Sequence, residues 1–166
     1  MTDAVVPKRR GGSGRLAPLV RRGLHGWFLL SRGLTLGARA AVIDAENRVC
    51  LIRHTYTPGW QLPGGGIEIG EDAIAALARE LREETEIEIT GTPRLHGVFF
   101  NGHVSRRDHV LVFVVREFTA PRPKAPDREI AECRFFGLGE LPPDTTRGTR
   151  ERLAEIAEGR VPAAFW

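Results

Sequence analysis

Residues 72–85 constrain the fold of this 166-residue chain more than any other segment, because they carry its strongest helical pattern. Strands are predicted on both sides of this helix along the chain, and a second helix is predicted near residue 150. This order of elements indicates an α/β fold in which a central mixed sheet is sandwiched between helices. A hydrophobic content of 42% is normal for one globular domain of this length.

The remaining segments show strand, turn and loop patterns. In chain order they predict two strands around a turn at 44–47, a glycine-rich loop at 59–70, a strand, turn and strand within 86–102, a buried strand at 110–115, a proline-rich loop at 120–127, a strand and turn at 132–142, and a closing helix within 145–159 capped by Gly159. Trp60 is expected to pack in the core beside the glycine-rich loop.

The basic character of the chain lies at its start. The net charge is +3, but residues 1–32 carry +6 and residues 33–166 carry −3. We expect a basic N-terminal arm with a short helix at 1–33, one domain at 34–160 and a tail at 161–166. The arm allows three interpretations: no specific role, packing as an extra helix on the domain or in a homodimer, or attraction to RNA or an anionic membrane.

The chain shows neither a secretory nor a membrane pattern. The apolar run "WFLL" at 27–30 is too short for a signal peptide, and no window approaches a transmembrane span. Cys50 and Cys133 lie far apart and form no CxxC pair, so neither a structural metal site nor a disulfide framework is expected. We therefore expect a cytoplasmic, soluble protein in a reducing compartment.

Three carboxylates of the predicted helix, Glu80, Glu83 and Glu84, fall within about 100° on a helical wheel. Clustered carboxylates repel one another unless a cation binds between them, and Mg²⁺ takes oxygen ligands together with water and phosphate oxygens. With the glycine-rich loop before the helix, the pattern indicates phosphate chemistry with Mg²⁺. The alternative is a surface helix whose acids are neutralised by Arg79 and Arg82. The neighbouring face, expected to be buried, carries Ile74, Leu77, Ala78 and Leu81.

The run "GGIEIGEDAIAALARELREETEI" (65–87) resembles the Nudix box: glycine, five residues, glutamate, seven residues, then Arg-Glu-apolar-x-Glu-Glu-x-Gly-apolar. Eight of the nine fixed positions match. The exception is Glu86, which stands where the family has glycine. The preceding "GWQLPGG" and the later "ECRFFGLGELP" are also similar to the family, so the resemblance covers about 34–159.

The resemblance implies a Nudix-type α/β/α sandwich and a hydrolase that cleaves the pyrophosphate linkage of a nucleoside diphosphate derivative. It also implies that Mg²⁺ or Mn²⁺ is bound by Glu80, Glu83 and Glu84 with the backbone carbonyl of Gly65. Arg79 is then expected to orient these carboxylates.

Other site residues follow from the same resemblance. Glu71 is expected to brace the junction of loop and helix through Arg79 or loop amides. Glu83 or Glu84 is favoured as the general base, and a glutamate of a later loop, Glu129 or Glu132, is the alternative because some members use one. An ordinary solvated acid is the competing interpretation of both loop glutamates.

The sequence defines the substrate less closely. Residues 101–105, "NGHVS", lack the proline or tyrosine typical of members that prefer ADP-ribose or dinucleoside polyphosphates. Arg39 and Arg53 on predicted strands are expected to pair with phosphate oxygens. Tyr56 or Phe99 is expected to stack on a base. For each residue alone, an ordinary surface or core role is the alternative. The full set of candidates is Arg39, Arg53, His54, Tyr56, Phe99, Asn101 and His103.

The sequence leaves competing functions open and contains one structural exception. The chain is expected to be an enzyme, because a catalytically silent Nudix-like nucleotide-binding or regulatory module usually lacks box glutamates that are present here. An enzyme acting on the 5′ end of RNA with the basic arm is a further alternative. Because a non-glycine residue is strained in a left-handed cap, we expect the helix to extend slightly past Glu86 or to end without such a cap.

Overall fold

The computed structural model describes residues 33–166, and the predictions for the basic arm fall outside them except at Gly33. In chain order the described elements are β1 (Thr35–Val42), β2 (Arg48–His54), β3 (Gly64–Gly66), α1 (Ala73–Thr85), β4 (Glu88–Ile89), β5 (Arg94–Phe100), β6 (Asp108–Val115), β7 (Phe118–Thr119), β8 (Ile130–Gly137) and α2 (Arg147–Glu158). Neither of these helices is long and apolar enough to cross a membrane.

The central sheet is mixed, as predicted. Its strand order is β3-β1-β6-β5, with β1 parallel to β6 and the other two pairings antiparallel. Two further antiparallel pairs, β2 with β8 and β4 with β7, complete the strand arrangement.

The turn at residues 44–47 separates two strands that join different sheets. The carboxylate of Asp44 accepts hydrogen bonds from the N–H groups of Glu46 and Arg48, and Asn47 has a positive φ of 57°. Before this turn β1 pairs with β6, and after it β2 pairs with β8. The two predicted strands are therefore confirmed, but their partners lie elsewhere in the chain.

Strand β6 is buried on both faces, which explains the continuously apolar run at 110–115. Val112 and Val114 belong to a cluster that includes Leu153 of α2. Phe113 and Val115 belong to the opposite cluster, which includes Leu77 of α1. Because successive side chains of a strand point to opposite faces, one helix covers each side of the sheet. The predicted α/β/α sandwich is confirmed.

Helix α1 is capped at its start by Asp72, whose side chain accepts hydrogen bonds of 2.9 Å from the N–H groups of Ile74 and Ala75. The expectation that Ile74 is buried is wrong, because it is 40% exposed. The buried face is instead centred near Leu77 and Glu84, which leaves Ile74 at its rim. As a result, Glu84 lies inside the packed face and not at its edge.

The end of α1 also differs from the prediction. The helix stops at Thr85, and Glu86 adopts the left-handed conformation, with φ 59° and ψ 20°. Its N–H donates to the carbonyl of Arg82, its carboxylate pairs with Arg122 at 2.9 Å, and the following Ile87 is buried. These contacts offset the strain of a left-handed glutamate, so the usual glycine is not needed here.

Residues 161–166, expected to be a tail, pack along β5. The N–H of Phe100 donates to the carbonyl of Ala164, and the N–H of Trp166 donates to the carbonyl of Phe100. Arg152 of α2 donates to the carbonyl of Phe165 at 2.8 Å. This segment therefore lies against the same sheet edge that carries Asn101.

Candidate active site

At Gly64 and Gly65, strand β3 lies too close to β1 and α1 for a side chain to fit. Gly64 has a φ of 133°, and a Cβ on it would overlap the carbonyl oxygen of Ala38. Its N–H donates a 2.6 Å hydrogen bond to Oε2 of Glu84. Gly64 is thus required both by its backbone conformation and by the close contact between β3 and β1.

Gly65 brings its backbone against the carboxylate of Glu80. A Cβ on Gly65 would overlap that carboxylate. The same carboxylate accepts a 2.8 Å hydrogen bond from Nη1 of Arg79, whose Nη2 donates to the carbonyl of Gly66 at 3.1 Å. Glu80 is therefore held between the glycine strand and a guanidinium group.

Arg79 also connects the helix to the preceding loop. Its Nε and Nη2 donate bonds of 3.0 Å to the two oxygens of Glu71, and Glu71 also accepts a bond from the N–H of Glu68. Hydrogen bonds from Arg79 lower the pKa of Glu71, and bonds to Glu71 and then Glu80 raise the pKa of Arg79. Arg79 and Glu71 fix the junction by this bidentate contact.

The three clustered glutamates occupy different environments. Glu84 is 5% exposed, while the side chain of Glu83 is 61% exposed and its Oε2 lies 3.6 Å from Nη1 of Arg79. Burial raises the pKa of Glu84 to about 8, and the N–H of Gly64 partly opposes that shift. Carboxylates with strongly shifted pKa values are concentrated at functional sites, which makes Glu84 a candidate site residue.

The structure brings His54 and Glu129 next to Glu84. In the described part of the chain, these three form the one group whose ligand atoms all lie within 4.8 Å of one another. His54 ends β2, and Glu129 immediately precedes β8, its partner strand. Tyr56 donates a 3.1 Å hydrogen bond to Oε1 of Glu129. Because the group combines two carboxylates with a buried imidazole, its residues fit a divalent cation.

A cavity of about 510 Å³ adjoins the glycine strand. Of the predicted substrate residues, Arg39, Asn101 and His103 line it. Arg39 donates a 2.7 Å bond to the carbonyl of Leu62, and the amide of Asn101 donates a 2.8 Å bond to Asp108. The cavity is thus lined by the guanidinium of Arg39 and the carboxylate of Asp108.

Of the predicted substrate contacts, the one at Phe99 is wrong. Phe99 is completely buried in the core and lies under the guanidinium of Arg152, at 4.3 Å, so its ring cannot stack on a base. Arg53 forms an ion pair with Glu132, lies 5.6 Å from the ring of Trp60 and does not line this cavity, so its contact with substrate stays a prediction.

Three other residues named from the sequence are Trp60, Glu132 and Tyr56. Trp60 is buried in the core, as predicted. Glu132, the alternative loop base, pairs with both Arg53 and Arg134. Tyr56 is exposed and meets the ring of His54 at 5.0 Å, on the side of Glu129. Sequence reasoning named His54 only as a substrate contact, because nothing local shows that β2 and β8 are partners.

Comparison with known proteins points to the Nudix family. The model of the NUDIX domain matches residues 33–156. An ADP-ribose pyrophosphatase of Methanocaldococcus jannaschii is 33% identical over 105 residues, which cover 61% of this chain and 61% of that protein. A putative 8-oxo-dGTP diphosphatase of Bacillus subtilis is 28% identical over 125 residues, covering 75% of this chain and 81% of that protein.

Solved structures share the fold. A MutT NUDIX hydrolase from Burkholderia pseudomallei superposes with a TM-score of 0.64 at 25% identity, over 74% of this chain and 97% of that chain. A UDP-X diphosphatase gives a TM-score of 0.61 at 22% identity, over 90% of this chain and 80% of that chain. With a family model that spans most of its length and a box on helix α1, this chain belongs to the Nudix hydrolase family.

Proposed function

We propose that this protein is a Mg²⁺-dependent hydrolase that cleaves the pyrophosphate linkage of a nucleoside diphosphate derivative. The observation that carries this proposal is the environment of Glu84. This carboxylate is buried and accepts a hydrogen bond from the glycine strand on one oxygen, and one of its oxygens lies within 4.8 Å of ligand atoms of Glu129 and His54. A cytoplasmic location agrees with Cys50 and Cys133, which are both free thiols.

The residues proposed to hold the cation are Glu80, Glu83, Glu84 and the carbonyl of Gly65. Mg²⁺ or Mn²⁺ bound there would polarise a phosphoryl oxygen and lower the pKa of a water molecule. Support comes from the contact of Glu80 with the backbone of Gly65 and from the burial of Glu84. Arg79 keeps Glu80 in place and links it to the loop through Glu71.

Glu83 is the residue we propose as the general base. It has the most exposed carboxylate of the three, so it has the freedom to reach a water molecule and take its proton. Glu84 is anchored by Gly64, and Glu129 is grouped with His54 and Glu84. Comparing kcat of Glu83→Gln and Glu129→Gln at saturating cation separates the two candidate bases.

The cavity beside β3 is the proposed substrate site. Arg39 would face phosphate oxygens, while Asn101 and Asp108 offer hydrogen-bonding groups to the nucleoside. The relatives are named for ADP-ribose and 8-oxo-dGTP, and both compounds contain a nucleoside diphosphate. That shared unit supports the substrate class and not a particular compound.

A hydrolysis screen with Mg²⁺ tests the proposal. The substrates are nucleoside triphosphates, ADP-ribose, nucleotide sugars, dinucleoside polyphosphates and capped RNA. We expect turnover of at least one of them by the wild type, a large loss in Glu84→Gln, and no loss in the matched surface variant Glu158→Gln. An equal lack of turnover in all three proteins would favour the catalytically silent module.

A further inference from the structure

We propose that His54 supplies a nitrogen ligand to the cation, together with Glu84 and Glu129, and that the site therefore prefers Mn²⁺ to Mg²⁺. This inference rests on the proposed function for the presence of a divalent cation near Glu84. It adds His54 and Glu129 to the ligands proposed above and names the cation that they select. Imidazole nitrogen suits first-row transition metals, whereas Mg²⁺ takes oxygen ligands almost exclusively.

The distances within the group suit a single ion. One ligand atom from each of His54, Glu84 and Glu129 lies within 4.8 Å of the other two. Two ligands on opposite sides of an ion, each about 2.2 Å from it, are about 4.4 Å apart. Small side-chain movements therefore bring all three atoms into one coordination sphere.

The imidazole of His54 lacks the partners that a buried polar ring normally has. Its side chain is only 8% exposed, and Nδ1 is buried without a hydrogen-bond partner in the described residues. Nε2 lies 3.6 Å from Oε1 of Glu84, which is longer than a hydrogen bond. Nε2 thus faces a carboxylate oxygen without a hydrogen bond to it, and a cation bound between them would give both atoms a partner.

The three ligands are held by separate elements. Oε2 of Glu84 is engaged by the N–H of Gly64, which leaves Oε1 on the side of His54. The backbone carbonyl of Glu129 accepts a 2.9 Å bond from the N–H of Thr55, the residue after His54. Pairing of β2 with β8 thus fixes the imidazole and the loop carboxylate relative to each other before any ion binds.

Residues around Glu129 restrict its side chain further. Its N–H donates a 2.8 Å bond to Asp127, and its Oε1 accepts the hydroxyl of Tyr56 at 3.1 Å. These bonds leave Oε2 of Glu129 for a ligand. The competing explanation of the cluster is a direct ion pair between His54 and Glu84 with no role in metal binding.

Metal binding by the full-length chain distinguishes these explanations. The metal-free protein is titrated with MnCl₂ and with MgCl₂ by calorimetry, and the Mn²⁺ complex is examined by pulsed electron paramagnetic resonance. We expect nitrogen hyperfine coupling to the bound Mn²⁺ in the wild type, which changes when histidine is labelled with ¹⁵N. The matched control is His109→Gln, since His109 also has a buried Nδ1 without a partner but lies outside the group.

The variant His54→Gln gives the second readout. Its affinity for Mn²⁺ should fall by about tenfold or more, whereas its affinity for Mg²⁺ should change by less than about threefold. His109→Gln should change neither. Absence of nitrogen coupling in the wild type overturns the inference, as does an unchanged Mn²⁺ affinity in His54→Gln.

Hydrolysis is scored separately, so failure of the two proposals can be distinguished. A wild-type protein that hydrolyses a substrate but shows no nitrogen coupling overturns the role of His54 and leaves the proposed function. A protein that binds Mn²⁺ through His54 but turns over no substrate overturns the proposed function and leaves the role of His54.

Discussion

The N–H of Gly64 and Oε2 of Glu84 are joined by a 2.6 Å hydrogen bond, which links the glycine strand to the helix that carries the candidate metal ligands. The two residues are 20 positions apart. The bond fixes one oxygen of a buried carboxylate and brings β3 close to α1. The backbone of β3 is therefore part of the site, and changes there should affect both stability and activity.

Replacing Gly64 by alanine tests this relationship. Gly64 has a φ of 133°, and the new Cβ would overlap the backbone of Ala38. We expect Gly64→Ala to lower the free energy of unfolding by about 2 kcal/mol or more, measured by chemical denaturation. Gly66→Ala is the matched control, because a Cβ there meets nothing within 4 Å and its φ is not positive. Equal stability of the two variants would contradict the account of β3.

Replacing Glu86 by glycine tests the end of α1. The left-handed conformation is easier for glycine by about 1 kcal/mol, whereas the exposed pair with Arg122 contributes about 0–1 kcal/mol. We expect Glu86→Gly to leave the free energy of unfolding unchanged or to raise it by up to about 1 kcal/mol, with turnover retained. Arg122→Ala measures the ion pair alone. Loss of turnover in Glu86→Gly would show that Glu86 belongs to the site.

Local sequence patterns predicted the elements because their signals lie within a few residues. Asp72 caps the start of α1, and Gly159, in a left-handed conformation, caps the end of α2. Both residue types are typical of these cap positions. The run 110–115 indicated a strand buried on both faces, which is the centre of the sandwich. The resemblance to the Nudix box placed Arg79 and Gly65 near Glu80, and in the structure both lie against its carboxylate.

Long-range pairing could not be predicted, and it decides the rest of the site. Pairing of β2 with β8 places His54 beside Glu129, and it places the sulfurs of Cys50 and Cys133 3.5 Å apart although they are distant in sequence. Phe99 was misassigned for the same reason, because its burial depends on Trp166 and on helix α2. None of these contacts leaves a local signal in composition or spacing.

The raised pKa of Glu84 predicts how pH affects the metal-free protein. Burial raises that pKa to about 8, so between about 4.5 and 8 the folded state holds a proton that the unfolded state has lost. The stabilisation from this group is complete below the unfolded pKa and is lost as pH rises towards 8. Its contribution to the slope is at most about 1.4 kcal/mol per pH unit.

Denaturation in a chelator at pH 5.5, 6.5 and 7.5 measures this effect. We expect wild-type stability to fall more steeply over this range than that of Glu84→Gln, which lacks the titrating group. Adding Mg²⁺ should restore stability most at the highest pH, because the cation needs the ionised carboxylate. Parallel pH profiles for the two metal-free proteins would show that Glu84 titrates in its ordinary range.

The attack of water on phosphorus is the central claim, and the fate of the water oxygen tests it most directly. The best substrate from the hydrolysis screen is cleaved in ¹⁸O-labelled water with Mg²⁺, and the products are followed by ³¹P nuclear magnetic resonance. We expect one ¹⁸O atom in one phosphate-containing product, and turnover about a hundredfold lower in Glu84→Gln than in the wild type. Absence of the label from both phosphate products, or equal turnover by the two proteins, would contradict the account.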